Sequence, residues 1–107
     1  MKVYLKRVKN NIEAIGEYDV ETKTLTVLKG SRVSNSIAYT EKFRGAKTIE
    51  KHRKGNIENN VLKVDMIFKS ASTAANFVTG SSTNGLVAWK TENGETLRNL
   101  VKPNEKE

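Results

Sequence analysis

Four cationic side chains recur at spacings of three, four and three residues in the middle of the chain; they are Arg44, Lys47, Lys51 and Lys54. Residues three or four apart lie on one face of a helix, so a helix here would carry a row of positive charge. Such a row can follow a phosphate backbone, where each neutralised phosphate releases counterions and adds salt-sensitive affinity. The alternative is an ordinary solvated helix face. We interpret the row as a contact to nucleic acid.

A second set of polar side chains lies in the segment 70–84, next to the flexible backbone of Gly80 and Gly85. At its C-terminal end, the loop 80–85 offers hydroxyls, an amide and unhindered backbone N–H groups, which could hold a phosphate or read a base edge. The Gly-Lys-Ser/Thr ending of a phosphate-binding loop is missing, so nucleotide hydrolysis is not supported. The alternative is a connecting loop whose glycines satisfy turn geometry. The candidate residues are Ser70, Ser72, Thr73, Ser82 and Asn84.

Residue types suited to catalysis or metal binding are scarce. The chain has no cysteine, which excludes disulfides, thiolate metal sites and cysteine nucleophiles. The single histidine, His52, falls at the flank of a predicted apolar helix face, where packing or capping is its expected role. Asp19, Glu21 and Lys23 surround a predicted hairpin turn, whereas ligands converging on one metal would come from separate strands. We predict no catalytic residue, no metal and no cofactor.

The four cations share one face only if this segment is helical. The spacing of its apolar residues predicts a helix over residues 38–54. Gly55 would end this helix after a run of basic residues, which suits the negative end of the helix dipole. Its apolar stripe consists of Tyr39, Phe43, Ala46 and Ile49.

The segment 70–84 needs a second helix, which is predicted to be short and buried. Ser70 is a good N-cap, and Gly80 follows the expected end. A face made mostly of alanine lets a helix approach a sheet closely. That face consists of Ala71, Ala74, Ala75 and Val78.

The sheet is predicted from alternating patterns. Residues 12–20 and 24–28 form a hairpin, with the apolar positions of each strand on one side. Residues 57–68 give either a second hairpin around Asn59-Asn60 or a strand with a short partner. Residues 87–90, containing Trp89 as a core anchor, give a final strand. Residues 2–8 form either a short strand or a tail. The last helical turns are expected over 96–101.

These elements predict an α+β domain. It would have a small, mostly antiparallel sheet built from hairpins, packed by one longer and one or two short helices. The length of 107 residues accommodates a single domain. We expect its core over about 12–101 and a flexible tail over 102–107.

Net charge and hydropathy limit the classes of partner that we expect. The chain has 19 Lys and Arg against 12 Asp and Glu, a formal net charge of +7, which would steer polyanions toward it. The basic start lacks the apolar run of a signal peptide, and nothing approaches the roughly 18 consecutive apolar residues of a membrane span. We expect a cytoplasmic protein that does not enter the membrane.

Short motifs occur in a characteristic order along the chain: Gly16-Glu17-Tyr18-Asp19, Val27-Leu28-Lys29-Gly30-Ser31, the run from Phe68 to Ala75, Gly80, Asn84-Gly85, Trp89-Lys90, Gly94 and Leu97. Over about 12–101 this order resembles a family of unknown function. Its members are short domains at the C-terminal ends of GIY-YIG endonucleases and of restriction–modification proteins. They are similar to the RAMA domain, the module associated with adenine methylases. Ala71 stands where the family often has proline, and Leu86 where it often has a bulky aromatic residue.

The resemblance implies a compact accessory domain that recognises DNA, with methylated DNA as one proposed target. Together with the charge, it predicts a non-catalytic module that binds duplex DNA beside a separately encoded nuclease or methylase. The cations would position the backbone, and the segment 70–84 would approach the groove or a modified base. Two alternatives stay open. One is a protein–protein interaction or assembly module, and the other is a small toxin-type ribonuclease that uses His52, Tyr39 and lysines.

Overall fold

A computed structural model describes residues 1–39 and 45–100 of the chain. It confirms the predicted α+β class, with a four-stranded antiparallel sheet in the order β1-β2-β3-β6 and a separate two-stranded sheet, β4-β5. The strands are β1 Lys2–Arg7, β2 Ile12–Tyr18, β3 Leu25–Val27, β4 Ile57–Glu58, β5 Val61–Leu62 and β6 Met66–Phe68. The helices are a 3-10 turn at Val8–Asn10, α1 Ala46–Arg53, α2 Ala71–Thr79 and α3 Gly85–Ala88.

The predicted hairpin of β2 and β3 is confirmed, because the buried positions of β2 alternate from Ile12 to Tyr18 and Gly16 pairs with Val27. Val20 is 43% exposed, since it lies in the turn after the strand. The N-terminal residues form strand β1, paired antiparallel with β2. Val3 and Leu5 of β1 are buried, so the core begins before the predicted boundary at residue 12.

Helix α2 is the element that packs on the sheet, where it contacts β2, β3 and β6. Helix α1 packs against α2, and its residue His52 also contacts Phe68 of β6. The opposite face of the sheet carries the cross-strand row Lys2, Glu17, Thr26 and Ile67, whose side chains are exposed or half-buried. This face, which we call the open face, is turned away from α2.

The start of the first long helix was predicted wrongly. Helix α1 begins at Ala46, whereas Ala38 and Tyr39 are in irregular backbone. The N–H of Ala38 donates to the carbonyl of Gly80 at 2.7 Å, a tertiary bond that holds this residue against the end of α2. Tyr39 is 61% exposed, but Ala46 and Ile49 are buried as predicted. The predicted residues Phe43 and Arg44 lie outside the described ranges.

The segment 57–68 contains the predicted hairpin but is not one continuous strand. Asn59 and Asn60 both have positive φ, as a tight two-residue turn requires, and they join β4 to β5. The chain then changes partner, so β6 pairs with β3 of the larger sheet instead. The local pattern cannot reveal this change, because alternation does not specify which strand is the neighbour.

The predicted strand over 87–90 is wrong. Residues Gly85–Ala88 form α3, which Asn84 caps, and Lys90 alone makes a bridge to Tyr4. The burial of Trp89 as a core anchor is confirmed, since its exposure is 0%. A helical turn over 97–100 follows the Gly94 turn, and residues 101–107, including the predicted tail, lie outside the described ranges.

Candidate nucleic-acid interface

The lysines of α1 form an exposed cationic face. Lys47, Lys51 and Lys54 are exposed, while Ala46 and Ile49 of the same segment are buried against the domain. None of the three lysines makes an ion pair with a carboxylate in the described ranges. This set of three lysines is called the α1 face below. The fourth predicted member of the row, Arg44, lies outside the described residues.

Glu50 is the acidic residue of α1, and it interacts with Tyr39. Desolvation raises the pKa of the Tyr39 hydroxyl, and the neighbouring Glu50 carboxylate, which accepts a hydrogen bond from it, raises the pKa further. Glu50 therefore interacts with Tyr39, and it makes no ion pair with a lysine of the α1 face in the described ranges.

Arg53 is the cation of α1 that turns inward. Its guanidinium donates to the carbonyls of Phe77 at 2.7 Å and Ser34 at 3.0 Å and to the Ser34 hydroxyl at 2.9 Å. Its carbon Cζ lies 5.7 Å from the centroid of the Phe77 ring. Burial lowers the pKa of Arg53, and Tyr39 partly offsets this effect. Arg53 thus satisfies carbonyls at the C-terminal end of α2, which otherwise lack a partner in the helix.

The predicted polar residues at the start of α2 bond to one another. The Ser70 hydroxyl accepts a hydrogen bond from the N–H of Thr73 at 3.1 Å, which confirms its role as the N-cap. The two hydroxyls of Ser70 and Thr73 lie 3.0 Å apart. These hydrogen bonds stabilise the first turn of α2, and they require no ligand.

The loop before α3 is hydrogen-bonded to the first turn of α2. The Ser72 hydroxyl accepts from the N–H of Gly85 at 2.9 Å, and the Asn84 side chain accepts from the N–H of Leu86 at 3.0 Å. A Cβ on Gly85 would lie 2.2 Å from the carbonyl carbon and oxygen of Ala71, so only glycine allows this approach. Ser82 is exposed in the loop.

These contacts form one wall of a cleft of about 320 Å³, which we call the α2 cleft. Lys23 and Lys69 supply positive charge, and the first turn of α2 has no acidic residue. The partial positive charge of a helix N-terminus adds to the attraction for anions. The cleft is lined by Tyr18, Lys23, Lys69, Ser70, Ala71, Ser72 and Leu86.

A family model described as a domain of unknown function, DUF4357, matches residues 3–101 of the chain. The chain belongs to the DUF4357 family. Neither a curated protein nor a solved structure gives a match.

Segments that lie far apart in the sequence of the DUF4357 domain meet at the α2 cleft. Tyr18 comes from β2, Lys69 to Ser72 from the start of α2, and Leu86 from α3. Ser70 and Ser72 were predicted from the sequence, whereas Tyr18, Lys23 and Lys69 were not predicted as cleft residues. The sequence signal that was available is position, because Tyr18 and Lys69 belong to the ordered motifs and Lys23 follows the first of them. Hydropathy alone predicts Tyr18 as a core residue and Lys23 as a turn residue.

The structure brings part of the predicted set together and separates the rest. Ser70 and Ser72 line the cleft, and Thr73 and Asn84 bond beside it. The cleft lies at the N-terminal end of α2, while Arg53 attaches the end of α1 to the C-terminal end of α2. Nine residues of helix span about 13 Å. The DUF4357 domain therefore offers the cleft and the α1 face as distinct cationic surfaces.

His52 is packed in the DUF4357 domain. Its ring meets Phe68 edge-to-face with centroids 5.5 Å apart, and its Nδ1 is buried without a hydrogen-bond partner in the described ranges. Asp19 accepts from the N–H groups of Glu21 and Thr22, which confirms the hairpin-turn role predicted for it. Within the described ranges no cluster of three or more His, Asp or Glu side chains could hold a metal ion.

None of the helices in the described part of the DUF4357 domain combines the length and the apolar character that crossing a membrane requires.

Proposed function

We propose that this DUF4357 domain is a non-catalytic accessory module that binds duplex DNA. The observation that carries the proposal is the α1 face, where three exposed lysines make no ion pair with a described carboxylate. In a chain of net charge +7, these cations are available to a phosphate backbone. The face supplies affinity that does not depend on sequence, because phosphate contacts position a protein without reading bases.

The α2 cleft is proposed to hold one further group of the DNA, a phosphate or an extruded base. Its volume of about 320 Å³ lies at the lower end of the range for ligand pockets, which suits a unit the size of a nucleotide. Lys23 and Lys69 would attract a phosphate, and Tyr18 and Leu86 offer apolar surface to a base. An extruded base would explain sensitivity to adenine methylation, because its edges become readable outside the stack.

The biological setting we propose is restriction–modification or DNA cleavage, with a separately encoded nuclease or methylase as partner and the cytoplasm as location. This part is supported by the resemblance to domains at the C-terminal ends of GIY-YIG endonucleases and to the RAMA domain. The geometry adds only that the site offers cations and hydrogen-bonding groups for DNA.

The test is a fluorescence-anisotropy titration of a labelled duplex with and without N6-methyladenine, at two salt concentrations. We expect binding at low salt that weakens as salt rises. Absence of binding to either duplex at low salt would refute the DNA-binding proposal. Equal affinity for the two duplexes would refute methylation sensitivity alone.

A protein–protein assembly module is the second candidate, and an exposed strand favours it. Ile67 of β6 is 68% exposed on the open face of the sheet, where no described helix covers it. A protein partner recovered after nuclease treatment, together with no affinity for DNA, would support this candidate. The ribonuclease alternative lacks comparable support, because the ring of His52 is packed against Phe68.

A further inference from the structure

The two edges of the four-stranded sheet differ. At the β1 edge, Tyr4 and Lys90 exchange two backbone hydrogen bonds of 2.7 and 2.9 Å, which close part of that edge. At the other edge, β6 is paired with β3 on one side, and no strand in the described ranges pairs with its second side. A strand with one unpaired side presents backbone donors and acceptors to a further strand.

The β6 edge also carries exposed apolar side chains. Ile67 is 68% exposed and Val64 is 46% exposed, although α2 buries Phe68 on the other face of the same strand. Edge strands are commonly protected by charge or proline at the centre. Here the centre is isoleucine, and the charged residues Lys63, Asp65 and Lys69 lie around it.

The charges around Ile67 are self-complementary. Asp65 lies two residues before Ile67 and Lys69 two residues after it, and both are exposed. In an antiparallel pair of identical strands centred on Ile67, residue 65 of each copy faces residue 69 of the other. Each Asp65 would therefore face a Lys69, and opposite charges directly across a strand pair are stabilising. A parallel pairing in register would set like charges beside each other.

We propose that two copies of this domain pair through β6, antiparallel and centred on Ile67, so that their sheets join into one. The backbone of Lys29 donates to the Asp65 carboxylate at 2.7 Å, which orients that carboxylate and leaves its second oxygen for a partner. Lys69 also lines the α2 cleft, so the pairing would bring the clefts of both copies near the two-fold axis. Because β6 has three residues, the contact is small and the dimer dissociates on dilution.

Charge reversal tests the register. Sedimentation velocity over a wide concentration range should show reversible dimerisation of the unaltered chain. Lys69→Asp and Asp65→Lys each set like charges opposite one another at two symmetric positions, and each should raise the dissociation constant about tenfold. The double variant D65K/K69D restores opposite charges and should recover dimerisation. A monomer at all concentrations, or single variants that dimerise like the unaltered chain, would overturn the proposal.

Cross-linking provides a test that keeps the Asp65 contact with Lys29 intact. The chain has no cysteine, so Ile67→Cys introduces a single thiol. Antiparallel partners directly across from each other have Cα atoms about 4.5 to 5.5 Å apart, which is within reach of a disulfide. Under mild oxidation this variant should form a covalent dimer, whereas Val8→Cys, at an 81% exposed position away from β6, should not. Equal cross-linking of both variants would show random collision and reject the pairing.

Discussion

The indole N–H of Trp89 donates a hydrogen bond of 3.1 Å to the carbonyl oxygen of Ala71, and both residues are buried. This bond joins the residue after α3 to the first residue of α2, next to the α2 cleft. Gly85 approaches the same peptide group from the other end of α3. The wall of the cleft therefore depends on buried contacts as well as on the polar groups that face solvent.

Trp89→Phe is expected to destabilise the domain by about 1 to 3 kcal/mol, because an aromatic ring remains but the Ala71 carbonyl loses its buried donor. Trp89→Ala should cost more, about 3 to 5 kcal/mol, because it also leaves a cavity. Urea unfolding measured by circular dichroism gives both values. Equal stability of Trp89→Phe and the unaltered domain would show that the hydrogen bond contributes nothing.

Arg53→Met should lower the free energy of unfolding by about 2 to 4 kcal/mol. The substitution keeps much of the side-chain volume but removes donors to the carbonyls of Phe77 and Ser34. The matched control is Lys51→Met on the exposed side of the same helix, where a change within about 0.5 kcal/mol is expected. If the two variants unfold alike, Arg53 is not the residue that satisfies the end of α2.

Gly85→Ala should destabilise the domain by about 1 to 3 kcal/mol or more, since its Cβ would overlap the backbone of Ala71 and rigid backbone cannot move aside cheaply. Gly94→Ala serves as the control, because open space surrounds that position and only the positive φ of 87° opposes a side chain. Thermal unfolding compares the two. A smaller loss for Gly85→Ala than for Gly94→Ala would contradict the close packing of α3 on α2.

Replacing Lys47, Lys51 and Lys54 together by Gln should weaken binding to duplex DNA strongly at low salt. If each lysine neutralises one phosphate, the slope of log affinity against log salt falls by about 2.7. The control replaces the exposed residues Lys2, Lys6 and Lys9 by Gln, which removes the same charge from β1 and the 3-10 turn that follows it. An equal loss in both triple variants would mean that net charge, and not the α1 face, drives binding.

Local patterns were sufficient for the elements whose stabilising contacts are close in sequence. The alternation from Ile12 to Tyr18 predicted β2, because one face of that strand packs on the core. Ser70 and Gly80 predicted both ends of α2, since a cap bonds to backbone within the same turn. The exposed lysines of α1 also followed from spacing once Ala46 and Ile49 were assigned to the core.

Contacts between distant segments decided the rest. The hydrogen bond from Ala38 to Gly80 keeps residue 38 out of the helix predicted there. Packing of Gly85 on Ala71 accompanies a helix that overlaps the strand predicted over 87–90. The α2 cleft draws on β2, on the start of α2 and on α3, so no single segment of sequence contains it. The sequence by itself determined the α+β class, the net charge and the caps of α2. Only the tertiary structure decided where the cleft lies and, among the described residues, which cations lack an ion pair and which strand edge lacks a partner, because these depend on non-local pairing and packing.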